Sequence, residues 1–586
     1  MENVGFGGGL FDADNAFGSL IRYKMLHTVA HRWNRASRFA YNRYRHWGLV
    51  YVRDKPGKPV IVLHLKEGVS QGCVFSMDLY AIGLLPLAEQ MREEIPEALQ
   101  PWYADDAAGT GPAEANAKCL AFLCEHGPAY GYHPSPEKSY YICKAKDEPV
   151  ARQAFESRGL AINFSRGRRY LGGFIGSGKA KDEWLGEKIA MWIKAVQDLA
   201  IMAQKFPQTV YAGFTFCLQN QWQYVQRVTA DTATMFAPLE EAIRRELIPA
   251  LLGTTTEEID GELRQVLTHS VKKGGMAIRN PVDTAEHVHA ASKNATAHLI
   301  RSLIDDSVEF DLQEHRVQAS LAGINTRKER MQREQDYLDS RGSGKPTVKR
   351  RDERNKVAGL WLSVYPSRLN GTGLSANEWR DNARLRYNLA PLDMPCRCDG
   401  CGERMTVEHA LQCKKGGLVS IRHDDVADEW RDLCGKATTP GHVTREPHIF
   451  TAQHRRPRVN GQPAPAAPSS NNNNNNTPAN NSNAPTQQQP AQHITEHRGD
   501  AGCHGFWDRG RPAIFDMRIT DTEARSYRNR DYTKVLASQE KEKKDKYLKP
   551  CQEQRKDFAP MVYSVDGILQ GGKPDMLNVI SQPCLR

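Results

Sequence analysis

No stretch of this 586-residue sequence approaches about 18 consecutive apolar residues, so a membrane-spanning helix is not expected. Met1-Glu2-Asn3-Val4 runs into glycines and acids, without the pattern of a secretory signal or a transit peptide. The 13 cysteines are mostly scattered singly, which argues against a secreted disulfide framework. A reducing compartment, nucleus or cytoplasm, is expected rather than secretion. No segment repeats at a fixed period. What the chain has in excess is positive charge: 79 Lys and Arg against 69 Asp and Glu, a formal +10 that suits a polyanionic partner. Its apolar fraction is ordinary, and at roughly 100–200 residues per domain the length calls for several domains.

Residues 1–178 alternate short apolar runs, helical patches and turn signals, as an α/β domain does. Over 184–204 the apolar positions Leu185, Ile189, Trp192, Ile193, Val196 and Leu199 recur at helical spacing. Similar patterning extends that helical segment over 179–326. Residues 327–389 begin with an almost purely charged stretch containing Lys349-Arg350-Arg351, expected as a solvated helix or linker, with a nuclear-import role open to it. A cysteine-bearing segment occupies 390–458, a Pro/Asn/Gln-rich insert expected to be disordered spans 459–494, and 495–586 closes the chain.

Five punctuated features follow one another in the first 178 residues: Asp12, Gln71-Gly72, Tyr103-Ala104-Asp105-Asp106, Lys138 and Tyr170-Leu171-Gly172. Asp12 reads as the end of a strand that turns into a helix, and the two aspartates as the turn of a hairpin. Carboxylates from two adjacent strands can hold two divalent cations about 3.5–4 Å apart on a reacting phosphate, which is how nucleotidyl transfer is catalysed. The pattern is that of a polynucleotide polymerase palm.

Three stretches carry a family resemblance: Asp12-Ala13-Asp14-Asn15-Ala16-Phe17, Glu67-Gly68-Val69-Ser70-Gln71-Gly72 and Tyr103-Ala104-Asp105-Asp106. They resemble core motifs of the reverse transcriptases of non-LTR retrotransposons. The resemblance implies that Asp12, Asp105 and Asp106 are the catalytic carboxylates and hold Mg²⁺ or Mn²⁺. It makes Phe17 the ring that excludes a 2′-hydroxyl, and Gln71 and Gly72 the turn against the incoming nucleotide and template. Lys138, after Gly131-Tyr132-His133-Pro134, becomes the lysine that protonates departing pyrophosphate. Tyr170-Leu171-Gly172 resembles a primer-grip hairpin, and His269-Ser270-Val271-Lys272-Lys273-Gly274-Gly275-Met276-Ala277-Ile278 a stretch of the helical thumb. The family's fingers motifs precede the first carboxylate, and Asp12 stands too near Met1 for them. Gly7-Gly8-Gly9 is also a poor lead-in for a central strand, since glycine there packs nothing.

Cys398-x2-Cys401-x7-His409-x3-Cys413 has the spacing of a structural zinc site, with His409 and Cys413 on one face of a short helix; Cys396 is a spare that could replace Cys398. Beyond the insert, Asp500 and the strand-like run around Asp516 precede the basic patch bearing Lys543. Two acids and a lysine can form a Mg²⁺-dependent nuclease site. With the upstream cysteines, this resembles the restriction-like endonuclease domain of site-specific non-LTR retrotransposons, which implies that Asp500 and Asp516 bind metal and Lys543 is catalytic. Gly499 stands where proline is expected, Arg518 could take the lysine's role, and Glu446 is the candidate acid on the preceding helix. The expected architecture is therefore multidomain α/β and α: an α+β palm, a helical thumb, a zinc knuckle and a restriction-endonuclease-like α/β domain. The expected function is target-primed reverse transcription on an RNA template, with a DNA target as primer and dNTPs as substrates. The alternatives are a decayed copy that only binds nucleic acid, or a nuclease-only remnant.

Overall fold

The structure is a computed structural model that describes residues 5–53, 55, 57–305, 310–415, 417–454, 493–527 and 529–571. The chain is mixed α/β and divides into two compact units, 1–259 with 278–332, and 260–277 with 333–586. Among the described residues no helix is long and apolar enough to cross a membrane.

The first unit contains β1 (Phe6–Phe11), β2 (Gly48–Val52), β3 (Ile61–Leu65), β4 (Trp102–Tyr103), β5 (Asp106–Pro112), β6 (Tyr140–Cys143), β7 (Asn163–Ser165), β8 (Gly167–Tyr170) and β9 (Gly173–Gly176). Five of these form a sheet in the order β4-β5-β1-β6-β7, with β1 central and antiparallel to both neighbours. The helices Ser76–Glu94, Ala113–His126 and Glu148–Glu156 contribute Leu79, Leu84, Leu120, Leu123 and Phe155 to the core that also buries Phe11 and Tyr141. β2 with β3, and β8 with β9, make two separate ribbons.

The triglycine of β1 overturns the expectation drawn from it. A Cβ on Gly7 would lie 2.5 Å from the Ile142 carbonyl oxygen and 2.7 Å from the Tyr141 ring, and one on Gly9 would lie 2.5 Å from the Phe11 ring. The missing side chains leave room for two buried aromatic rings beside the strand, and Tyr141 Oη donates to the Gly5 carbonyl at 2.7 Å. Glycine here is what lets the central strand pack.

The helical segment begins at Ser177, whose side chain accepts from Ala180 N and caps the helix Gly178–Ala203. The stripe Leu185, Ile189, Trp192 and Val196 is buried, and Trp192 meets Trp222 and Phe236 at ring distances of 5.9 and 6.3 Å. Residues 260–277, which the sequence groups with this helical segment, belong to the second unit. There Ser270 Oγ donates to Glu334 at 2.7 Å.

The expected solvated helix around 349–351 is a packed one. In the helix Pro346–Val357, Asp352 is buried against Arg341 at 3.0 Å, Arg350 pairs with Glu523 at 3.5 Å, and Arg354 pairs with Asp566 at 3.1 Å. Its charges face other charges of the same unit, which alternation of sequence types does not reveal.

The second unit adds β10 (Val443–Arg445), β11 (His448–His454), β12 (His493–Arg498), β13 (Ala501–His504), β14 (Pro512–Thr520) and β15 (Asp557–Ser564). A four-stranded sheet runs β10-β13-β14-β15, antiparallel except for the parallel pair β14 and β15. The helix Tyr532–Glu553 makes the crossover that a parallel pair needs. Along β14, Ala513, Phe515 and Met517 join the helix Leu418–Ala437 through Trp430, whereas Ile514 packs with Tyr547 and Cys551 of the helix Tyr532–Glu553. β11 and β12 pair antiparallel up to His454 opposite His493, so the insert joins the two strands of one ribbon. The expectation of disorder over 459–494 falls outside the described residues up to 492.

Candidate functional site

Register decides the first cluster. Phe11 at the end of β1 pairs with Ala107 of β5, so Asp12 and Asp106 stand at the same end of neighbouring strands. Asp106 pairs with Tyr103, and Ala104, in the left-handed conformation at φ 55°, turns the chain through Asp105. Burial, and then repulsion from Asp105 and Asp12, raises the proton affinity of Asp106; burial likewise raises that of Asp12, with Asp14 and Asp105 adding to it against the opposing pull of Lys138. The Tyr132 hydroxyl, fully buried, donates weakly to the Asp105 carbonyl at 3.5 Å, and all three carboxylates act on it. The Tyr80 hydroxyl is also buried, makes no hydrogen bond and is influenced by Asp105. The cluster thus stands over two buried tyrosines.

Lys138 ends a short turn, Pro136–Lys138, and its ammonium pairs with Asp14. That turn is tied to the Asp12 loop by Ser135 N to the Asp12 carbonyl at 2.8 Å, Asp14 N to the His133 carbonyl at 2.9 Å and Asp12 N to Ser139 Oγ at 3.1 Å. Gly131 is obligatory beneath it, since a Cβ there would lie 1.9 Å from the Ser19 carbonyl oxygen. Phe17 stacks on Tyr80 at 4.5 Å. The stretch bearing Gln71 and Gly72 is anchored to it through Val69 N, which donates to the Phe17 carbonyl at 2.8 Å, and through Gly68 N, which donates to the Leu20 carbonyl at 2.8 Å. Gln71 and Gly72 themselves stand exposed, with no contact that brings them to the carboxylates.

Tyr170-Leu171-Gly172 forms the tight turn from β8 to β9: Leu171 and Gly172 both have positive φ, 46° and 79°, and Tyr170 pairs with Gly173. Tyr170 feels the charge of Asp106. A cleft of about 890 Å³ lies here, lined among others by Asp106, Arg166, Arg168, Arg169 and Trp184.

In the second unit, Cys398, Cys401, His409 and Cys413 place one donor atom each within 4.8 Å of the others. The Sγ atoms of Cys398 and Cys413 are 3.7 Å apart, those of Cys413 and Cys401 3.8 Å, and Cys401 Sγ lies 3.2 Å from His409 Nε2. A tetrahedral zinc with ligands at about 2.3 Å separates its sulfurs by about 3.8 Å, so the cluster has the size such an ion needs. The local folding is simple. Cys398 N bonds to the Glu403 carbonyl and Gly402 N to the Cys398 carbonyl, with Gly402 at φ 76°, while Thr406 caps the helix Val407–Gln412 through His409 N. Cys396 is exposed and outside the set, so Cys398 holds the position that the spacing left open.

The third cluster follows from alternation in β14. Asp516 shares the face of Ile514 and meets Lys543 of the helix Tyr532–Glu553, Nζ to Oδ2 at 2.5 Å. Of the lysines at 541–546, Lys543 makes this contact; Arg518 pairs instead with Glu542 at 2.9 Å. Asp500 precedes β13, its Oδ2 accepts from Met517 N at 2.5 Å, and it lies 3.3 Å from His423 Nε2. Burial would raise Asp500, but the His423 hydrogen bond and the Met517 N–H outweigh it and bring it down; burial holds Asp516 up. His423 is raised to about 9, first by its hydrogen bond to Asp500. Glu446 does not lie on the preceding helix: it sits between β10 and β11 at φ 48°. The preceding helix, Leu418–Ala437, supplies His423 instead, which sequence reasoning missed because a lone histidine on an amphipathic helix carries no signal. Asp14, Tyr80 and Tyr132 were also missed, although Asp14 lies inside the Asp12–Phe17 motif and Tyr132 in the Gly131–Pro134 stretch before Lys138.

The chain matches no protein-family model and no curated protein. What it can do therefore rests on these three clusters.

Proposed function

We propose that the chain is the RNA-directed DNA polymerase of a non-LTR retrotransposon, with a target-nicking endonuclease at its C-terminal end, acting by target-primed reverse transcription. The observation that carries this reading is the pairing of β1 with β5, which puts Asp12 beside the Asp105-Asp106 hairpin. Asp12, Asp105 and Asp106 offer oxygen donors alone, the ligand type a hard divalent cation takes, and repel one another; among the described residues the Cys398 set is the group whose donors already lie within 4.8 Å of one another, so a cation would have to draw the aspartates together. Asp12, Asp105 and Asp106 would hold Mg²⁺ or Mn²⁺, which when bound activates the primer 3′-hydroxyl and offsets charge on the phosphate. Phe17, fixed on Tyr80, would close the space a ribose 2′-hydroxyl needs, favouring dNTPs. Lys138, charged and held by Asp14, is a proton source for pyrophosphate beside Asp12. Gln71 and Gly72 would touch nucleotide and template from an exposed turn.

Primer extension on poly(rA)/oligo(dT) with Mg²⁺ tests this. Wild type should incorporate dTTP and Asp105→Ala should not; a wild type that incorporates nothing refutes polymerase activity and leaves the nucleic-acid-binding and nuclease-only alternatives.

The second unit supports a nuclease reading on its own observation, the contact of Asp516 with Lys543 beside Asp500. Asp500 and Asp516 would hold Mg²⁺, Lys543 would steady the phosphate or an attacking water, and His423 would orient Asp500. The Cys398, Cys401, His409 and Cys413 set would hold a structural Zn²⁺ in the same unit. Plasmid nicking that survives Asp516→Ala refutes this assignment.

A further inference from the structure

The formal charge of +10 is not spread along the chain. Residues 22–66 hold eleven lysines and arginines against one acid, Asp54, a net of +10; the rest of the sequence therefore sums to zero. Arg22 and Arg32 serve the fold or an acid. Arg22 is buried, donating to the carbonyls of Gly68, Leu65 and His46 at 2.8, 2.9 and 3.2 Å, which fastens the foot of the β2–β3 ribbon. Arg32 pairs with Glu89 at 2.7 Å. Arg35 and Arg38 on the helix Asn34–Tyr44, Arg45 after it, and Arg53, Lys55 and Lys66 on or beside the ribbon are all exposed.

Aromatic rings are interleaved with these cations. Tyr41, Trp47 and Tyr51 are 54, 59 and 66% exposed, far beyond what packing requires of such side chains. Arg45 lies over the Tyr41 ring at 5.4 Å and Lys66 over the Trp47 ring at 4.9 Å. In β2 and β3 every residue except Gly48 is exposed, so both faces of the ribbon are open. A two-stranded ribbon so placed is marginal without something laid on it.

We propose that residues 35–53, with 55 and 57–66, form a binding track for single-stranded nucleic acid. The cations meet phosphates, and Tyr41, Trp47 and Tyr51 offer π-faces to unpaired bases, the pairing by which single strands are held without sequence preference. A flat anionic membrane fits less well, because it covers only one face of a ribbon that is apolar on both. A second copy of the chain would bring the same charge against itself. The track names a partner for the polymerase reading but does not depend on it, since binding needs no catalysis.

The test uses the full chain, without nucleotides, and fluorescence anisotropy with a labelled unstructured 20-mer RNA and the matching duplex. The variant Arg38→Ala/Arg45→Ala/Arg53→Ala/Lys55→Ala should bind the single strand at least thirtyfold more weakly. Its salt slope should fall by about three, at roughly 0.7 for each phosphate that is no longer neutralised. Tyr51→Ala should weaken single-strand binding roughly tenfold with the slope unchanged and duplex binding unaltered. As single exposed changes, Tyr51→Ala and Lys55→Ala keep the test decisive if the quadruple variant does not fold. Unchanged affinity in these variants overturns the proposal. So does duplex binding as tight as single-strand binding, or RNA binding untouched while anionic vesicles or self-association respond to the same changes. Asp105→Ala should bind RNA as wild type does, so loss of synthesis and loss of the track are read separately.

Discussion

Replacing Cys413 with alanine removes the sulfur that lies 3.7 Å from Cys398 and 3.8 Å from Cys401. Those separations match the edge of a zinc-thiolate tetrahedron, about 3.8 Å, so these sulfurs stand at the spacing a bound ion needs. At free zinc a hundredfold above its dissociation constant, binding to the folded state alone stabilises by about 2.7 kcal/mol. In a domain of the second unit's size each kcal/mol moves Tm by roughly 2–4 °C. Chelation should therefore lower the unfolding temperature of that unit by about 5–11 °C. Metal content by mass spectrometry and thermal unfolding with and without chelator measure both sides. Wild type should carry one zinc per chain; Cys413→Ala and Cys398→Ala should carry less and lose the chelator-sensitive shift. Cys396→Ala should behave as wild type, because Cys396 is exposed and outside the cluster. Zinc below one per chain in wild type, an unfolding temperature indifferent to chelator, or equal losses in Cys396→Ala and Cys398→Ala would refute the assignment.

Gly68→Ala should destabilise the first unit by about 2–4 kcal/mol, about 1 for the left-handed backbone and the rest for overpacking, because its Cβ would lie 2.4 Å from the Gly18 carbonyl oxygen. Gly72→Ala, at φ 88° in open space, should cost only about 1 kcal/mol; equal costs in denaturant titrations would show that Gly68 does not meet Gly18. Glu148 is held below the usual carboxylate range, first by its hydrogen bonds to Arg152 and then by those to Arg166, which lines the cleft beside Asp106. A depressed carboxylate stabilises above its unfolded pKa of about 4.5 and loses that contribution as pH falls through the lower folded value. Unfolding at pH 7 and pH 3 should show wild type losing roughly 0.2–1 kcal/mol more than Glu148→Gln on acidification, and parallel losses would sink the assignment.

Legibility in the sequence follows the span of the interaction. The Tyr170-Leu171-Gly172 turn and the cysteine cluster are local, so residue types and short spacings carry them. The helix stripe from Leu185 to Val196 is local in the same sense. Gly7-Gly8-Gly9 misled because glycine's cost is a property of the residue, whereas its use depends on Tyr141, a partner 134 positions away that nothing nearby announces. Charge runs misled for a similar reason: the helix Pro346–Val357 looks solvated until Glu523 and Asp566 are opposite it. Glu446 on a helix is what the resemblance implies, and nothing beside it in the sequence tells a helix end from the turn between β10 and β11 that it occupies.

By itself the sequence determined where the chain must turn, and that Cys401, His409 and Cys413 would meet one of the two cysteines Cys396 and Cys398. Those facts are set by a few bonds of covalent distance. Only the tertiary structure decided that Asp12 faces Asp106, that Lys543 rather than its neighbours reaches Asp516, and that His423 holds Asp500. Each of these depends on strand register or on which face of a strand turns toward a helix. A shift of one residue reverses that face, and the packing of a whole core selects it.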